Sequence, residues 1–303
     1  MSAPLNVLVT GPTGTTGRAV VNELLNRGHC VTGFSKHPAR YGAHPRYTPV
    51  TGSQLNDVSE LVKVVEGHDV VISCFAPSHD TGPATYIGLV EGAWRLKEAV
   101  KDSSNSPYLI YVGGAGSLKD PETGLTTLDQ PDHLIVRYFK TGPIEHLNWL
   151  RFVVGAWPIH LYYYVRNYAH ANGWFSFLPR LLTSRFENHL SHHFRQTKGM
   201  PHACRAALSF FEHDPSFKWT FLSPPWFYRD GPRTGEYGVI RDFQPCDSKG
   251  RWLGVSNGDI AVGIVDEAEK REKIHLHWSV FAKQEDAAYF YDNYKGLTLP
   301  AHV

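Results

Sequence analysis

The stretch Gly11-Pro12-Thr13-Gly14-Thr15-Thr16-Gly17-Arg18 places three glycines three apart. It follows the apolar, β-branched run Asn6–Thr10 and precedes a segment with apolar residues at 19, 20, 21, 24 and 25. A glycine turn between a strand and a helix is a device for holding an anion. Glycine tolerates the positive φ of a tight turn and lets a phosphate approach the backbone without a Cβ in the way. The helix start then offers free N–H groups and the positive end of its dipole. This spacing, in this strand–turn–helix context, predicts a pyrophosphate cradle for a dinucleotide made by Gly11, Thr13, Gly14, Thr15, Thr16, Gly17 and Arg18.

A second group of residues chooses among dinucleotides. A chain that holds the free ribose hydroxyls of NAD usually ends its second strand with Asp or Glu. Here that strand ends Gly33-Phe34-Ser35-Lys36-His37, with Arg40 close behind and no acid. Lys and Arg attract the 2′-phosphate that a carboxylate would repel. The expected cofactor is therefore NADP(H), its 2′-phosphate held by Ser35, Lys36 and Arg40, with Arg18 as a further partner. Phe75 and Ala76, after the next apolar run, would lie near the adenine ribose and the phosphate bridge. Gly113 and Gly114, in Val112-Gly113-Gly114-Ala115-Gly116-Ser117, would let a flat ring lie against backbone. Ser117 is placed either to bond the substrate or nicotinamide, or to serve as a turn serine.

The elements that must position these residues alternate. Strands are expected at Asn6–Thr10, Cys30–Phe34, Asp69–Phe75 and Pro107–Val112. Amphipathic helices are expected at Thr15–Asn26, stopped by Gly28, at Leu55–Val65 with Asn56 or Asp57 as N-cap, and at Ala84–Val100 with Pro83 in the first turn. Alternation of this kind predicts an α/β fold with a doubly wound parallel (Rossmann) sheet and a ligand crevice at the carboxyl ends of its strands. Later, Trp219–Leu222 reads as a strand closed by Pro224 and Pro225, which would frame the nicotinamide. Ser256, three residues before Asp259, reads as the start of a helix.

Composition bounds the rest. The 303 residues are 42% hydrophobic and 19% charged, with a formal net charge of +1. That balance excludes a disordered chain and a global positive field for nucleic acid. Four cysteines (Cys30, Cys74, Cys204, Cys246) form no close pair, which points to a reducing compartment and no disulfide framework. The N-terminus reads as a first strand and not as a signal peptide, and Phe152–Val165 is too short to span a bilayer. A cytoplasmic protein is expected.

Three blocks resemble the atypical short-chain dehydrogenase/reductases, in particular their NmrA-like and NADH-flavin-reductase-like branch. They are GPTGTTGR at 11–18, SKHPAR at 35–40 and YVGGAGSL at 111–118. Trp219–Pro225, Arg233–Tyr237 and Val255–Ala261 agree with them. The resemblance covers roughly 1–120 and 200–282. It implies the Rossmann fold and nicotinamide binding. It leaves the reaction open, because the branch includes reductases, isomerases and redox sensors that bind NADP without turnover.

The sequence departs from that pattern twice. The usual Tyr-x-x-x-Lys pair occurs only at Tyr291–Lys295, in the wrong element. The helix expected from about Pro201 to Phe211 instead has Lys198 and His202 near its start. His202 is either a proton donor near neutral pH, with Lys198 beside it, or a surface or capping histidine. Second, an insertion at 121–199 separates the two halves, 1–120 and 200–303. Within it, residues 131–195 hold 14 aromatics and seven of the 17 histidines, with a local charge of +4.

Such a stretch, expected to be mostly helical, can be a lid over a flat aromatic substrate, a homodimer interface or a membrane-surface patch. The histidines at 189, 192 and 193, and His275 with His277, lack the partners of a known metal spacing, so no metal is expected. The function expected is NADP(H)-dependent reduction of a flat oxygenated aromatic or quinone-like metabolite of secondary metabolism. A non-redox isomerase, cyclase or dehydratase and an NADP-binding redox sensor remain as alternatives.

Overall fold

The computed structural model describes residues 3–77, 83–128, 199–248, 250 and 252–283, with positions 161, 162, 164, 165, 168, 181 and 185. The chain divides into two compact units, 1–128 with 199–284, and 129–198 with 285–303. In the second unit the seven described positions are helical. The lid and interface expectations for 131–195 otherwise lie outside the described residues.

The first unit runs β1 (Asn6–Thr10), α1 (Thr15–Asn26), β2 (Cys30–Ser35), β3 (Tyr47–Thr51), α2 (Val58–Val65), β4 (Val70–Ser73), α3 (Pro83–Asp102) and β5 (Tyr108–Val112). It continues with α4 (Gly199–Ser209), β6 (Trp219–Leu222), β7 (Tyr228–Arg229), β8 (Tyr237–Arg241), β9 (Val255–Ser256), α5 (Asn257–Lys270) and β10 (His277–Ala282). Among the described residues the main sheet has the order β3-β2-β1-β4-β5-β6-β10-β8. Its neighbours pair in parallel except β8, which runs antiparallel to β10.

The central strands are largely apolar and buried because both faces are covered, with Thr10, Ser73 and Thr220 as buried polar residues. Val7 and Val9 of β1, Val70 and Ile72 of β4, and Ile110 of β5 face one core with α1 and α5. Leu8, Val71 and Leu109 face the other, with α2, α3 and α4. The doubly wound reading is thus the observed fold. β3 is absent from that reading. It is a polar edge strand whose Pro49 cannot donate to a ladder, and an edge is where such a strand is tolerated. No described helix is long and apolar enough to cross a membrane.

Helix α5 begins as its sequence indicates, with Ser256 Oγ accepting from the Asp259 N–H at 3.0 Å. Asp259 does not complete a capping box. Its carboxylate accepts instead from the N–H groups of Thr234 and Gly235, each at 2.8 Å, and pins the preceding loop to the helix.

Charged groups tie α1 to α5 and to this loop. Glu23, 3% exposed, accepts from Arg233 Nε at 2.6 Å and Arg27 Nε at 2.8 Å. Arg27 also reaches Asp266 at 2.7 Å and Glu269 at 2.8 Å. Burial pushes the Glu23 carboxyl up, but the Arg233 and Arg27 bonds and charges outweigh it, and the net shift is down from 4.5. A carboxylate depressed in the folded state stabilises above its unfolded value, and that contribution is lost as pH falls through the folded value. Glu23→Ala should therefore cost about 1.5 kcal/mol at pH 7, since Arg27 keeps Asp266 and Glu269 and Arg233 is half exposed. Urea denaturation should show the gap to wild type shrinking below pH 4.5. A gap that stays constant to pH 3 would exclude this ionic role.

Candidate active site

The turn after β1 has the shape its glycines imply, and each glycine answers a different constraint. Gly11 has φ +70°, and a Cβ there would stand 2.6 Å from the Cys74 carbonyl oxygen. At Gly17 a Cβ would fall 2.0 Å from Gly11 O, so this glycine lets α1 pack onto the turn. Gly14 is the N-cap of α1, and a Cβ on it would meet only Gly11 O at 3.5 Å. The first-turn N–H groups have no acceptor within the helix. No side chain caps α1 and no acid stands in its first turn. Thr13, Gly14 and Arg18 form one wall of a cavity of about 510 Å³, with Glu23, Arg233 and Asn257 on other sides. The turn is therefore an open backbone cradle of the kind a pyrophosphate occupies.

At the end of β2 the Ser35 Oγ atom is buried and has no hydrogen-bond partner among the described residues. A hydroxyl in that state is costly unless a ligand completes it. Lys36 and Arg40 are exposed beside it, in and before the 3-10 turn Pro38–Tyr41. Arg18 reaches from α1 to this turn. Its Nη2 donates to Arg40 O at 3.3 Å, and its guanidinium lies 5.9 Å from the Tyr41 ring centre. The structure thus gathers Ser35, Lys36, Arg40 and Arg18 at the β2 end, and these residues fit a phosphorylated ribose.

Behind the crevice, Gln54 locks the ends of β1 and β4. Its Oε1 accepts from Thr10 at 2.6 Å and Ser73 at 3.0 Å, and its Nε2 donates to Gly92 O at 2.9 Å. Phe75 is half-buried against Gly92, and Ala76 is exposed. Tyr228 of β7 bonds Thr16 through its hydroxyl and so sits over the cradle. Burial, opposed by the Thr16 bond, raises its phenol above the ordinary range. Neither Gln54 nor Tyr228 is legible as a site residue in the sequence, because both meet their partners only across the folded sheet.

The glycines after β5 have an internal reason as well. A Cβ on Gly113 would stand 2.1 Å from the Phe221 ring, one on Gly114 2.8 Å from Cys204 Sγ, and one on Gly116 2.4 Å from Pro201 O. The loop is pressed onto β6 and α4. Ser117 is 2% exposed, and its hydroxyl donates to Gly114 O at 2.7 Å. Pro224 and Pro225 are buried at the end of β6. His202 lies on the exposed face of α4 with Arg205 and Ser209. Lys198 and the pair Tyr291–Lys295 lie outside the described residues, as do the histidines at 189, 192 and 193. His275 and His277 do not share a strand face. His275 precedes β10 with φ +59° and bonds Phe217 O at 2.8 Å, whereas His277 begins the strand. Among the described residues, no three His, Cys, Asp or Glu side chains are grouped to hold a metal.

A doubly wound sheet with an open glycine cradle at the carboxyl end of its first strand defines a Rossmann dinucleotide-binding protein. In agreement, residues 11–138 match the NAD(P)H-binding family model, and this part of the chain is an NAD(P)-binding domain. Over 107 residues the chain is 38% identical to the 3-beta-hydroxysteroid dehydrogenase of Mycolicibacterium neoaurum. That match covers 35% of this chain and 28% of the dehydrogenase, so the chain spans under a third of that relative. The uncharacterized protein YwnB of Bacillus subtilis (strain 168) is 22% identical over 283 residues, 93% of this chain and all of that one. Among solved structures, a proposed NADH-flavin reductase of Streptococcus pneumoniae TIGR4 superposes with a TM-score of 0.61 at 22% identity, over 92% of this chain and 100% of that one. A wide-type short-chain dehydrogenase/reductase of Veillonella parvula DSM 2008, in complex with NADP, gives 0.50 at 13% identity, over 93% and 96%. Those structural likenesses speak for the fold.

Proposed function

We propose that this protein is an NADP(H)-dependent reductase of a flat, oxygenated aromatic or quinone-like small molecule, working in the cytoplasm. The observation that carries the cofactor choice is the buried Ser35 hydroxyl, unpartnered among the described residues, at the acid-free end of β2 that Lys36 follows and where Arg18 bonds the Arg40 backbone, in place of the carboxylate of an NAD-specific chain. The NAD(P)H-binding match at 11–138 and the dehydrogenase and reductase relatives support redox chemistry. When bound, the reduced nicotinamide supplies a hydride. The chain's own residues do the rest. The turn and first turn of α1 bind the phosphates, the β2 end selects the 2′-phosphate, and Gln54 fixes the separation of β1 and β4 between which the crevice opens. The acceptor class rests on the aromatic- and histidine-rich composition of 131–195, whose rings would stack on a planar substrate. The same segment is our candidate for a homodimer surface.

The test is NADPH oxidation with a panel of quinones, flavins and aromatic ketones, beside direct measurement of NADPH and NADH affinity. Turnover with one acceptor class, and tighter binding of NADPH than NADH, is the expected result. Tight NADPH binding with no turnover across the panel would replace the reductase by an NADP-binding sensor.

A further inference from the structure

The segment 228–235, from β7 into the loop before β8, is a strap fastened on two sides. One side is tied to the start of α5. Tyr228 and Arg229 pair in parallel with Val255 and Ser256. Ser256 Oγ donates to Pro232 O at 2.6 Å, and the Gly231 N–H donates to Asn257 Oδ1 at 3.3 Å. The Asp259 carboxylate accepts from the Thr234 hydroxyl at 2.8 Å as well as from the Thr234 and Gly235 N–H groups. A Cβ on Gly258 would stand 2.8 Å from both Pro232 O and Arg233 N, so strap and helix start are in close contact. The other side lies along α1 and meets it at two points. Tyr228 Oη bonds Thr16 Oγ1, and the Arg233 guanidinium grips Glu23 through Nε at 2.6 Å and Nη2 at 2.8 Å. Thr16 and Glu23 are seven residues apart, about two helical turns, so both stand on one face of α1. The Arg233 anchor leaves Tyr228 at the head of α1, beside the cradle.

The Thr16–Tyr228 pair holds one proton more than its bond uses. Each residue carries a single hydroxyl proton. Their mutual bond takes one, and among the described residues neither hydroxyl makes another hydrogen bond. Thr16 is the second residue of α1, so its N–H is one of the first-turn donors with no acceptor in the helix. A spare O–H and such an N–H therefore stand together at the head of the helix. The phenol is the more acidic hydroxyl and the better donor to an anion, with Thr16 donating in turn to the phenol oxygen. Burial pushes the phenol up, opposed by the Thr16 bond and reinforced by Cys74 and Asp230, so it stays protonated at neutral pH. Asp230 bonds Asn257 Nδ2, at 2.7 Å, and not the phenol.

Resting on the dinucleotide reading of the cradle, we propose that Tyr228 is a ligand of the cofactor's diphosphate, donating its spare hydroxyl hydrogen bond to a phosphate oxygen while Thr16 holds the phenol in place. A diphosphate offers charged oxygens that only accept, and an O–H donor to such an oxygen makes one of the stronger hydrogen bonds. The two-sided fastening of the strap fixes this donor before the ligand arrives, which lowers the cost of ordering it on binding. The diphosphate is common to NADPH and NADH, so Tyr228 serves both alike. The corner of Ser35, Lys36 and Arg40 serves the 2′-phosphate alone. A tyrosine that only tied β7 to α1 would change the melting temperature and not the affinity.

Calorimetric titration of the whole chain with NADPH, NADH and adenosine 2′-monophosphate tests this. Tyr228→Phe should weaken NADPH and NADH by the same factor, roughly tenfold or more, the scale of one hydrogen bond to a charged group. Adenosine 2′-monophosphate has no diphosphate and should bind as it does to wild type, which also certifies that the variant is folded. In 31P spectra of the variant saturated with NADPH, the diphosphate resonances should move from their wild-type positions and the 2′-phosphate resonance should stay. One readout needs no variant. In the wild type, hydrogen exchange at Gly231, Thr234 and Gly235 should slow with NADPH and stay unchanged with adenosine 2′-monophosphate. Unchanged affinity for both dinucleotides in Tyr228→Phe, or diphosphate resonances that coincide with those of wild type, overturns the proposal and leaves the dinucleotide reading intact. Strap exchange that NADPH does not alter overturns it as well. If the wild type binds neither dinucleotide, the cradle reading falls and the role of Tyr228 with it.

Discussion

Gly14→Val should leave the protein folded and remove its cofactor. The Cβ added at Gly14 has only Gly11 O within 4 Å, at an ordinary 3.5 Å, so the apo protein should melt within a few degrees of wild type. The same side chain stands on the open face of the cradle, where a phosphate must touch backbone. NADPH affinity should therefore fall by roughly 100-fold or more, the loss of two or more charge-assisted bonds. Gly17→Val is the control with the opposite outcome. Its Cβ would fall 2.0 Å from Gly11 O, a backbone atom that cannot swing away, so α1 must lift off the turn. A cost of about 3 kcal/mol or more is expected, a large part of a normal domain's stability. Thermal melts and calorimetric titration with NADPH check both variants. Retained affinity in Gly14→Val would take the cofactor off this turn.

Lys36→Glu combined with Arg40→Glu should invert the cofactor preference. Two positive charges at the β2 end become two negative ones facing the 2′-phosphate, while the contacts to the diphosphate of either cofactor stay in place. NADPH affinity should drop roughly 100-fold and NADH affinity by less than about threefold, because only the former carries the repelled group. Ser35→Ala separates binding from stability at the same position. Removing an unsatisfied buried hydroxyl should raise apo stability by about 1 kcal/mol while weakening NADPH about tenfold. Equal loss of NADH and NADPH in the charge-reversed variant would show that this corner does not read the 2′-phosphate.

The parts of the fold legible in the sequence are those governed by local periodicity. β1, α1 and β6 coincide with the expected Asn6–Thr10, Thr15–Asn26 and Trp219–Leu222. β1 and β6 are short, mostly apolar runs and α1 has an apolar stripe, each with glycine or proline close to its end. β3 and β8 lack that signal. They are the two edges of the sheet, half exposed, and an edge strand needs neither a continuous apolar run nor a full set of donors. α2 starts at Val58 instead of the expected Leu55 because 53–56 closes a turn, Asn56 N donating to Ser53 O at 2.9 Å.

The sequence by itself determined the doubly wound order, the glycine cradle and the basic, acid-free end of β2, because each is written in neighbouring residues. Only the tertiary structure decided what lies across strands. It showed that the Gly113–Gly116 loop needs its glycines to pack on Phe221, Cys204 and Pro201, and that Ser117 is turned inward. It also brought Ser223, Asp242 and His277, up to 160 residues away in sequence, into one hydrogen-bonded line with that serine. The physical reason is the sheet pairing. It sets the carboxyl ends of β5, β6 and antiparallel β8 beside the amino end of β10, so residues remote in the chain become neighbours there, and no local pattern records which of them will touch.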